Sequence, residues 1–117
     1  MRRALLLVVV VVAVLSPSAW AEDSRTYDRD LETVWEHAVK AVRDVDFVLV
    51  ESDRAEHRFT MRTKSKLSAK RGIELEVGLV GRDQLTVVRV EVLDERKAAR
   101  AAKHVRAYLE ALDRRLH

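Results

Sequence analysis

Ile73-Glu74-Leu75-Glu76-Val77-Gly78-Leu79, then Gly81-Arg82-Asp83-Gln84, then Val88-Arg89-Val90-Glu91-Val92 form the stretch that decides the fold. Apolar and charged residues alternate on both sides of a turn, which is the period of strands with one buried face. Ile73, Leu75, Val77 and Leu79 then point inward with Val88, Val90 and Val92, and Glu74, Glu76, Arg89 and Glu91 point outward. With Arg82-Asp83 as a two-residue tip, the register sets Val77 opposite Val88, Leu75 opposite Val90 and Glu76 opposite Arg89. That last pair is worth roughly 0.2–1 kcal/mol. A slip of one residue would turn the apolar set to solvent, so the alternation fixes which face is buried.

Outward from the hairpin, Gly72 closes a stretch from Lys64 to Arg71 that has no apolar period and reads as a loop. Before it, Arg58 to Lys64 alternates, with Phe59 and Met61 on one face, and predicts a half-buried strand. Phe47-Val48-Leu49-Val50 predicts a strand with much of both faces covered, ended by the polar turn Glu51-Ser52-Asp53-Arg54. Leu31, Val34, Trp35, Ala38, Val42 and Val45 fall at helical spacing behind an N-cap at Asp28 or Asp30, so a helix runs to about Asp44. Asp94 caps a closing helix with Ala98, Ala101, Ala102, Val105, Tyr108, Leu109, Leu112 and Leu116 along one stripe.

These elements predict an α+β fold of helix, four-stranded antiparallel meander and helix. Both helices lie on one face of the sheet as a two-layer sandwich, because that packing buries every apolar stripe at once. The other face displays Arg58, Thr60, Arg62, Lys64, Glu74, Glu76, Arg89 and Glu91, a mixed-charge surface that is either solvated or the seat of a partner. Residues 28–117 make the single domain and 22–27 a flexible leader.

The start of the chain reads differently. Arg2 and Arg3 precede an apolar run from Ala4 to Leu15, Pro17 breaks it, and Ala19-Trp20-Ala21 supplies a small-residue cleavage pattern. Residues 1–21 are expected to be a signal peptide cleaved after Ala21, leaving a periplasmic or secreted domain. The competing reading is an uncleaved anchor, for which the apolar run falls short of the about 20 residues that span a bilayer. The chain has no cysteine, which closes both lipid attachment at a cysteine and a disulfide framework. Removing Arg2 and Arg3 lowers the 22 basic residues to 20 against 19 acidic ones, so a net +3 becomes +1. A near-neutral domain, whose open face lacks aromatic platforms for bases, argues against nucleic acid as a partner.

Catalytic apparatus is not legible. Ser24, Ser52, Ser65 and Ser68 lie in polar surroundings with no glycine-bounded elbow, and Gly72, Gly78 and Gly81 do not space a phosphate loop. His37, His57, His104 and His117 are well separated and form no ligand pair, so neither a metal nor another cofactor is expected. Asp28, Asp30 and Glu32 are explained by capping and the helix dipole.

Two sets of residues stand out. Arg62, Lys64, Lys66, Lys70 and Arg71 concentrate five positive charges in ten residues, a contact for an anionic surface or an acidic protein, or a solvated loop. Trp35 and Tyr108 lie in the stripes of the two helices, where they anchor the core or border a pocket between helices and sheet.

Thr26-Tyr27-Asp28-Arg29-Asp30-Leu31-Glu32-Thr33-Val34-Trp35-Glu36-His37-Ala38, with Phe47-Val48-Leu49 and Ser52-Asp53-Arg54, resembles the opening of a family of short bacterial exported domains of unknown function, many of them lipoproteins. The chain is also distantly similar to the helix-grip-like domains of the outer-membrane-assembly lipoprotein C. The resemblance implies a bacterial envelope location and a non-enzymatic role, and it contributes no catalytic residues. The expected function is therefore a non-catalytic envelope domain that binds a protein partner or an anionic surface. The alternative is a small-ligand carrier or enzyme with its pocket near Trp35 and Tyr108, and a third reading is a purely structural role in a larger assembly.

Overall fold

The computed structural model describes residues 22–64 and 72–117. The expected signal peptide, residues 1–21, and the stretch 65–71 lie outside the described residues. The chain is α+β, an antiparallel sheet with two helices. In order it forms β1 (Glu22–Tyr27), α1 (Leu31–Asp44), β2 (Val48–Asp53), β3 (Arg58–Arg62), β4 (Glu74–Arg82), β5 (Leu85–Val92), a short 3-10 turn (Glu95–Lys97) and α2 (Ala98–Leu116). The strand order is β1-β5-β4-β3-β2, so β2 to β5 form the expected meander and β1 adds a fifth strand beside the last.

That fifth strand corrects two expectations, the four-stranded sheet and the flexible leader at 22–27. All six residues pair antiparallel with β5, from Glu22 opposite Glu91 to Tyr27 opposite Thr86. The physical reason lies in the neighbours. Without β1, one edge of β5 would present unpaired amides and carbonyls, and Arg25 and Tyr27 find partners on α2 that a polar leader alone does not suggest.

Asp30 caps α1, accepting from the Thr33 amide (3.2 Å) and hydroxyl (2.6 Å). The helix stops where Asp46 adopts a left-handed φ of 62°: Phe47 N–H returns to Val42 O and Asp46 N–H to Arg43 O, a Schellman closure. Asp94 accepts from the Arg96 amide and caps the 3-10 turn that leads into α2. Val34, Trp35, Ala38, Ala41 and Val42 of α1 are buried with Ala98, Ala101, Val105, Tyr108, Leu109, Ala111, Leu112 and Leu116 of α2. They pack on the inward residues of the sheet, Phe59, Met61, Leu75, Val77, Leu79, Val88, Val90 and Val92, in one core. Ala102, expected in the α2 stripe, is exposed, and Ala111 is buried instead.

The hairpin keeps its expected faces but not its register. Val77 lies opposite Val90, Leu75 opposite Val92, Leu79 opposite Val88, and Glu76 opposite Glu91 rather than Arg89. The tip is Asp83-Gln84, closed by Arg82 opposite Leu85, because Asp83 takes the left-handed φ of 54°. The shift is two residues, which preserves the faces and changes every partner.

β2 is also corrected. It runs past the expected turn to Asp53, lies at the sheet edge, and leaves Leu49 and Val50 exposed. The pairing with β3 slips between Leu49 and Glu51, a bulge at Val50 of the kind that discourages further strand addition at an edge. At the other end of β3, Thr63 N–H donates to the Ile73 carbonyl at 3.0 Å and Ile73 N–H to Thr63 Oγ1 at 2.9 Å, and the Cβ of any residue replacing Gly72 would fall on the Thr63 carbonyl oxygen.

Candidate functional site

Of the five basic residues singled out, the structure places two. Arg62 ends β3 on the outward face, 3.8 Å from the Glu74 carboxylate. It lines a cleft of about 310 Å³ with Gly72, Glu74, Leu93, Asp94 and Lys97. Lys64 reaches Asp46 after α1, 2.8 Å from its carboxylate. Lys66, Lys70 and Arg71 lie outside the described residues.

Trp35 and Tyr108 are both brought against Phe59. Trp35 meets Phe59 edge-on at 5.7 Å, and Phe59 meets Tyr108 at 6.5 Å. Both residues are buried, Tyr108 wholly, and its hydroxyl donates to the Ala38 carbonyl at 2.7 Å, tying α2 to α1. Burial pushes the Tyr108 phenol well above its ordinary range. Phe59 thus packs against both of the residues expected to anchor the core or border a pocket.

The sequence reasoning missed two clusters. At the first turn of α1, Glu32 accepts from Arg54 (2.6 Å) and stands 3.1 Å from His57 Nε2. The bond to His57, then that to Arg54, holds the Glu32 carboxyl below its ordinary range. His57 sits at a left-handed φ of 53° in the β2–β3 turn and packs edge-on to Trp35 at 5.6 Å. Nothing in the spacing of residues 32, 54 and 57 announces this cluster, because the turn brings it together across 25 positions. A paired His and Glu can orient a base, but acyl or phosphoryl chemistry also needs a nucleophile beside the ring. Of the serines, Ser24 and Ser52 lie on the edge strands β1 and β2, and Ser65 and Ser68 lie outside the described residues.

The second cluster fastens β1. Asp113 of α2 accepts from Arg25 Nη1 at 2.7 Å and from the Tyr27 hydroxyl at 2.6 Å. Burial first, then the Asp113 bond, raises the Tyr27 phenol above its ordinary value. Arg29 donates to the Leu116 carbonyl, and Thr86 Oγ1 donates to the Arg29 carbonyl at 2.9 Å. Arg25, Tyr27, Arg29, Asp113 and His117 line an open cleft of about 560 Å³. Among the described residues no group of three or more His, Asp or Glu side chains is arranged to hold a metal, and no helix is long and apolar enough to cross a membrane.

The outward sheet face carries the remaining unusual arrangement. Its side chains fall in rows across the strands. Val80 and Val87 make one row, Arg58, Gly78 and Arg89 the next, Thr60, Glu76 and Glu91 a third, and Arg62 and Glu74 a fourth. Gly78 leaves a depression beside Arg58, and with Val80, Val87, Arg89 and the glutamates around them these residues line a shallow groove of about 420 Å³. Val80, Leu85, Val87 and Leu93 are four of the six large apolar residues left exposed among the described residues, and all four point to this face.

No family model matches the chain, and no curated protein matches it. Among solved structures it is similar to CalU16 from Micromonospora echinospora, at 14% identity over 78% of this chain and 70% of that one, with a TM-score of 0.58. What it shares with CalU16 is a fold. Lower scores relate it to DynU16, a protein in the dynemicin biosynthetic locus, at 11% identity over 80% of this chain and a TM-score of 0.49. A START superfamily protein from Mycobacterium smegmatis follows at 10% identity over 81% of this chain and 0.45. The match spans 45% of DynU16 and 94% of the Mycobacterium protein.

Proposed function

We propose that this chain is a non-catalytic domain of the bacterial envelope that binds a protein on its outward sheet face. One observation carries the reading: the exposed apolar side chains Val80, Leu85 and Val87 gather at the hairpin end of that face, with Leu93 at its other end and charges of both signs between. Apolar side chains clustered within a polar surround are the usual composition of an interaction surface, whereas scattered ones need no explanation. The export route and the envelope location belong to the same proposal and rest on residues 1–21 and the family resemblance.

A photo-crosslinking side chain tests it in the exporting cell, placed at Val87 on the face and, as a control, at Arg106 on the exposed side of α2. A discrete protein adduct from Val87 and none from Arg106 is expected. Equal adducts from both positions, no adduct, or adducts with lipid alone would remove the face from the account. The lipid outcome would favour the anionic surface and the basic residues around Lys64.

A second reading, a small-ligand carrier or enzyme with its pocket between helices and sheet, is the one towards which the fold comparison leans. Its support is the fold shared with CalU16, two helices against an antiparallel sheet, a layout that can open between its layers. The edge-on contacts of Phe59 with Trp35 and Tyr108 require that ring to move for a ligand to enter near them. Titrating envelope lipids, glycans and metabolites into the Trp20→Phe variant, where Trp35 is the only tryptophan left, separates the two readings. Quenched emission with a raised melting temperature supports the carrier, and an unmoved signal across the panel counts against it.

A further inference from the structure

We propose that the protein seated on the outward sheet face is a second copy of this chain, packed face to face about a two-fold axis that crosses β5 at Val90. The proposal rests on the protein-binding reading of that face and names its partner. Its starting point is the outward stripe of β5, which reads Val87, Arg89, Glu91, Leu93 at every second residue. Leu93 lies one residue beyond the strand but still gives its amide to the Glu74 carbonyl, so the alternation continues through it. Read in reverse, the stripe is apolar, acidic, basic, apolar. An antiparallel second copy centred on residue 90 therefore sets Arg89 against the partner copy's glutamate 91 and Val87 against its leucine 93. Each contact is repeated by the symmetry, as an isologous interface demands.

The neighbouring strand fits the same axis. Gly78 lies opposite Arg89 on β4 and Glu76 opposite Glu91, so the depression at Gly78 of one copy faces Glu76 of the other. Arg58, across the sheet from Gly78, lies one strand away from the same carboxylate. In the isolated chain Glu76 and Glu91 are directly opposed, and like charges in that position repel. The arginines of a second copy would neutralise them. Two ion pairs of the face are long and open to solvent, Arg58 to Glu56 at 3.9 Å and Arg62 to Glu74 at 3.8 Å. Sheets stacked face to face stand about 10 Å apart, a gap that an arginine and a glutamate reaching from opposite sides can close.

Area supports the same partner. The strands β1, β5, β4 and β3, about 4.8 Å apart, with four rows about 6.8 Å apart, make a face on the order of 500 Å² per copy, roughly 1,000 Å² in a pair. They leave out β2, whose outward Glu51 and Asp53 the same axis would set against each other. A specific interface needs about 1,000 Å².

Charge reversal with complementation tests the proposal in the purified protein. The wild type should sediment as a dimer at tens of micromolar. Arg58→Glu/Arg89→Glu and Glu76→Arg/Glu91→Arg, each folded by circular dichroism, should each be monomeric there, with dissociation constants raised at least about a hundredfold. Mixed one to one, the two variants should form a heterodimer, and the variant carrying all four changes should dimerise again. A wild type that stays monomeric up to several hundred micromolar overturns the proposal. So does a dimer that survives both reversals, or a mixture of folded variants that stays monomeric. A monomer that still gives a Val87 adduct with a different protein would end this inference and leave the protein-binding reading standing.

Discussion

The two edge strands of the sheet make opposite use of their composition. β1, Glu22–Tyr27, is polar in five of its six residues and is nevertheless held firmly, while β2, Val48–Asp53, opens with the apolar Val48-Leu49-Val50 and is largely exposed. The difference lies in what waits across the gap. β1 faces Asp113 on α2, which takes up Arg25 and Tyr27 together, and it completes the ladder of β5 over six residues. β2 has one neighbour, β3, and a bulge at Val50 that breaks the pairing. An unbroken ladder and the reach of a helix side chain thus outweigh local hydrophobicity in deciding which edge strand is anchored.

The largest effect that would break this comparison belongs to Tyr27. Its ring is 5% exposed and its hydroxyl is bonded to Asp113, so Tyr27→Ala empties a buried aromatic site and removes the bond. A loss of about 3–5 kcal/mol in urea unfolding is expected. Amide protection should collapse along β1 while the β3–β4 ladder keeps its relative order. A loss under about 1 kcal/mol would mean that β1 is not anchored through this residue.

The same phenol gives the strand a pH dependence. Tyr27 and Tyr108, the chain's two tyrosines, both have folded pKa values raised by burial above the ordinary value near 10. The folded state therefore favours both neutral phenols. Their contribution is complete below about pH 10 and is lost as the pH rises above it. Each proton taken up by the native state relative to the unfolded state costs up to about 1.4 kcal/mol of stability per pH unit. Tyr27→Phe should halve the tyrosine part of the alkaline slope, and an unchanged slope would assign it to Tyr108 alone.

How much of this was legible follows from which contacts are local. The alternation of residues 73–92 and the helical stripes carry the antiparallel sheet and the two helices because each is a short-range pattern. The anchoring of β1 is not short-range: Tyr27 and Asp113 are separated by 86 positions. Without that contact, Glu22 to Thr26 has the composition of a leader. The hairpin tip went wrong by one residue because both Arg82-Asp83 and Asp83-Gln84 fit the turn, and only the left-handed Asp83 decides between them. That small error hid the opposed Glu76 and Glu91, and with them the banding of the outward face. Arg62 and Lys64 were legible as charges, but their carboxylate partners, Glu74 and Asp46, depend on strand pairing and on the end of α1. Likewise, the positions of Trp35 and Tyr108 in their stripes do not disclose that both rings pack against Phe59 of β3.

Asp113→Ala sharpens the comparison at lower amplitude. It leaves the Tyr27 ring in place and removes only the acceptor, and the Arg25 and Asp113 side chains are 37% and 27% exposed, so water replaces part of what is lost. We expect about 1.5–2 kcal/mol in equilibrium unfolding, less than Tyr27→Ala by at least about 1 kcal/mol. Asp113→Asn, which keeps an acceptor for the Tyr27 hydroxyl, should recover about half. Equal losses for Tyr27→Ala and Asp113→Ala would show that the carboxylate, not the buried ring, carries the anchor.

The smallest effect is expected on β2, and its smallness is the point. Leu49 and Val50 are 41% and 43% exposed, although they form the most continuous apolar run after residue 21. Had β2 been covered on both faces, Leu49→Ser would empty a core site at a cost of about 2–5 kcal/mol. At an exposed edge the same change should cost about 0.5 kcal/mol, and Val50→Ser no more, because the bulged residue has no partner on β3 to lose. Both variants should also be less prone to aggregate on heating, since an exposed apolar edge invites strand addition. A cost above about 2 kcal/mol for Leu49→Ser would place β2 in the core after all and remove the contrast with β1.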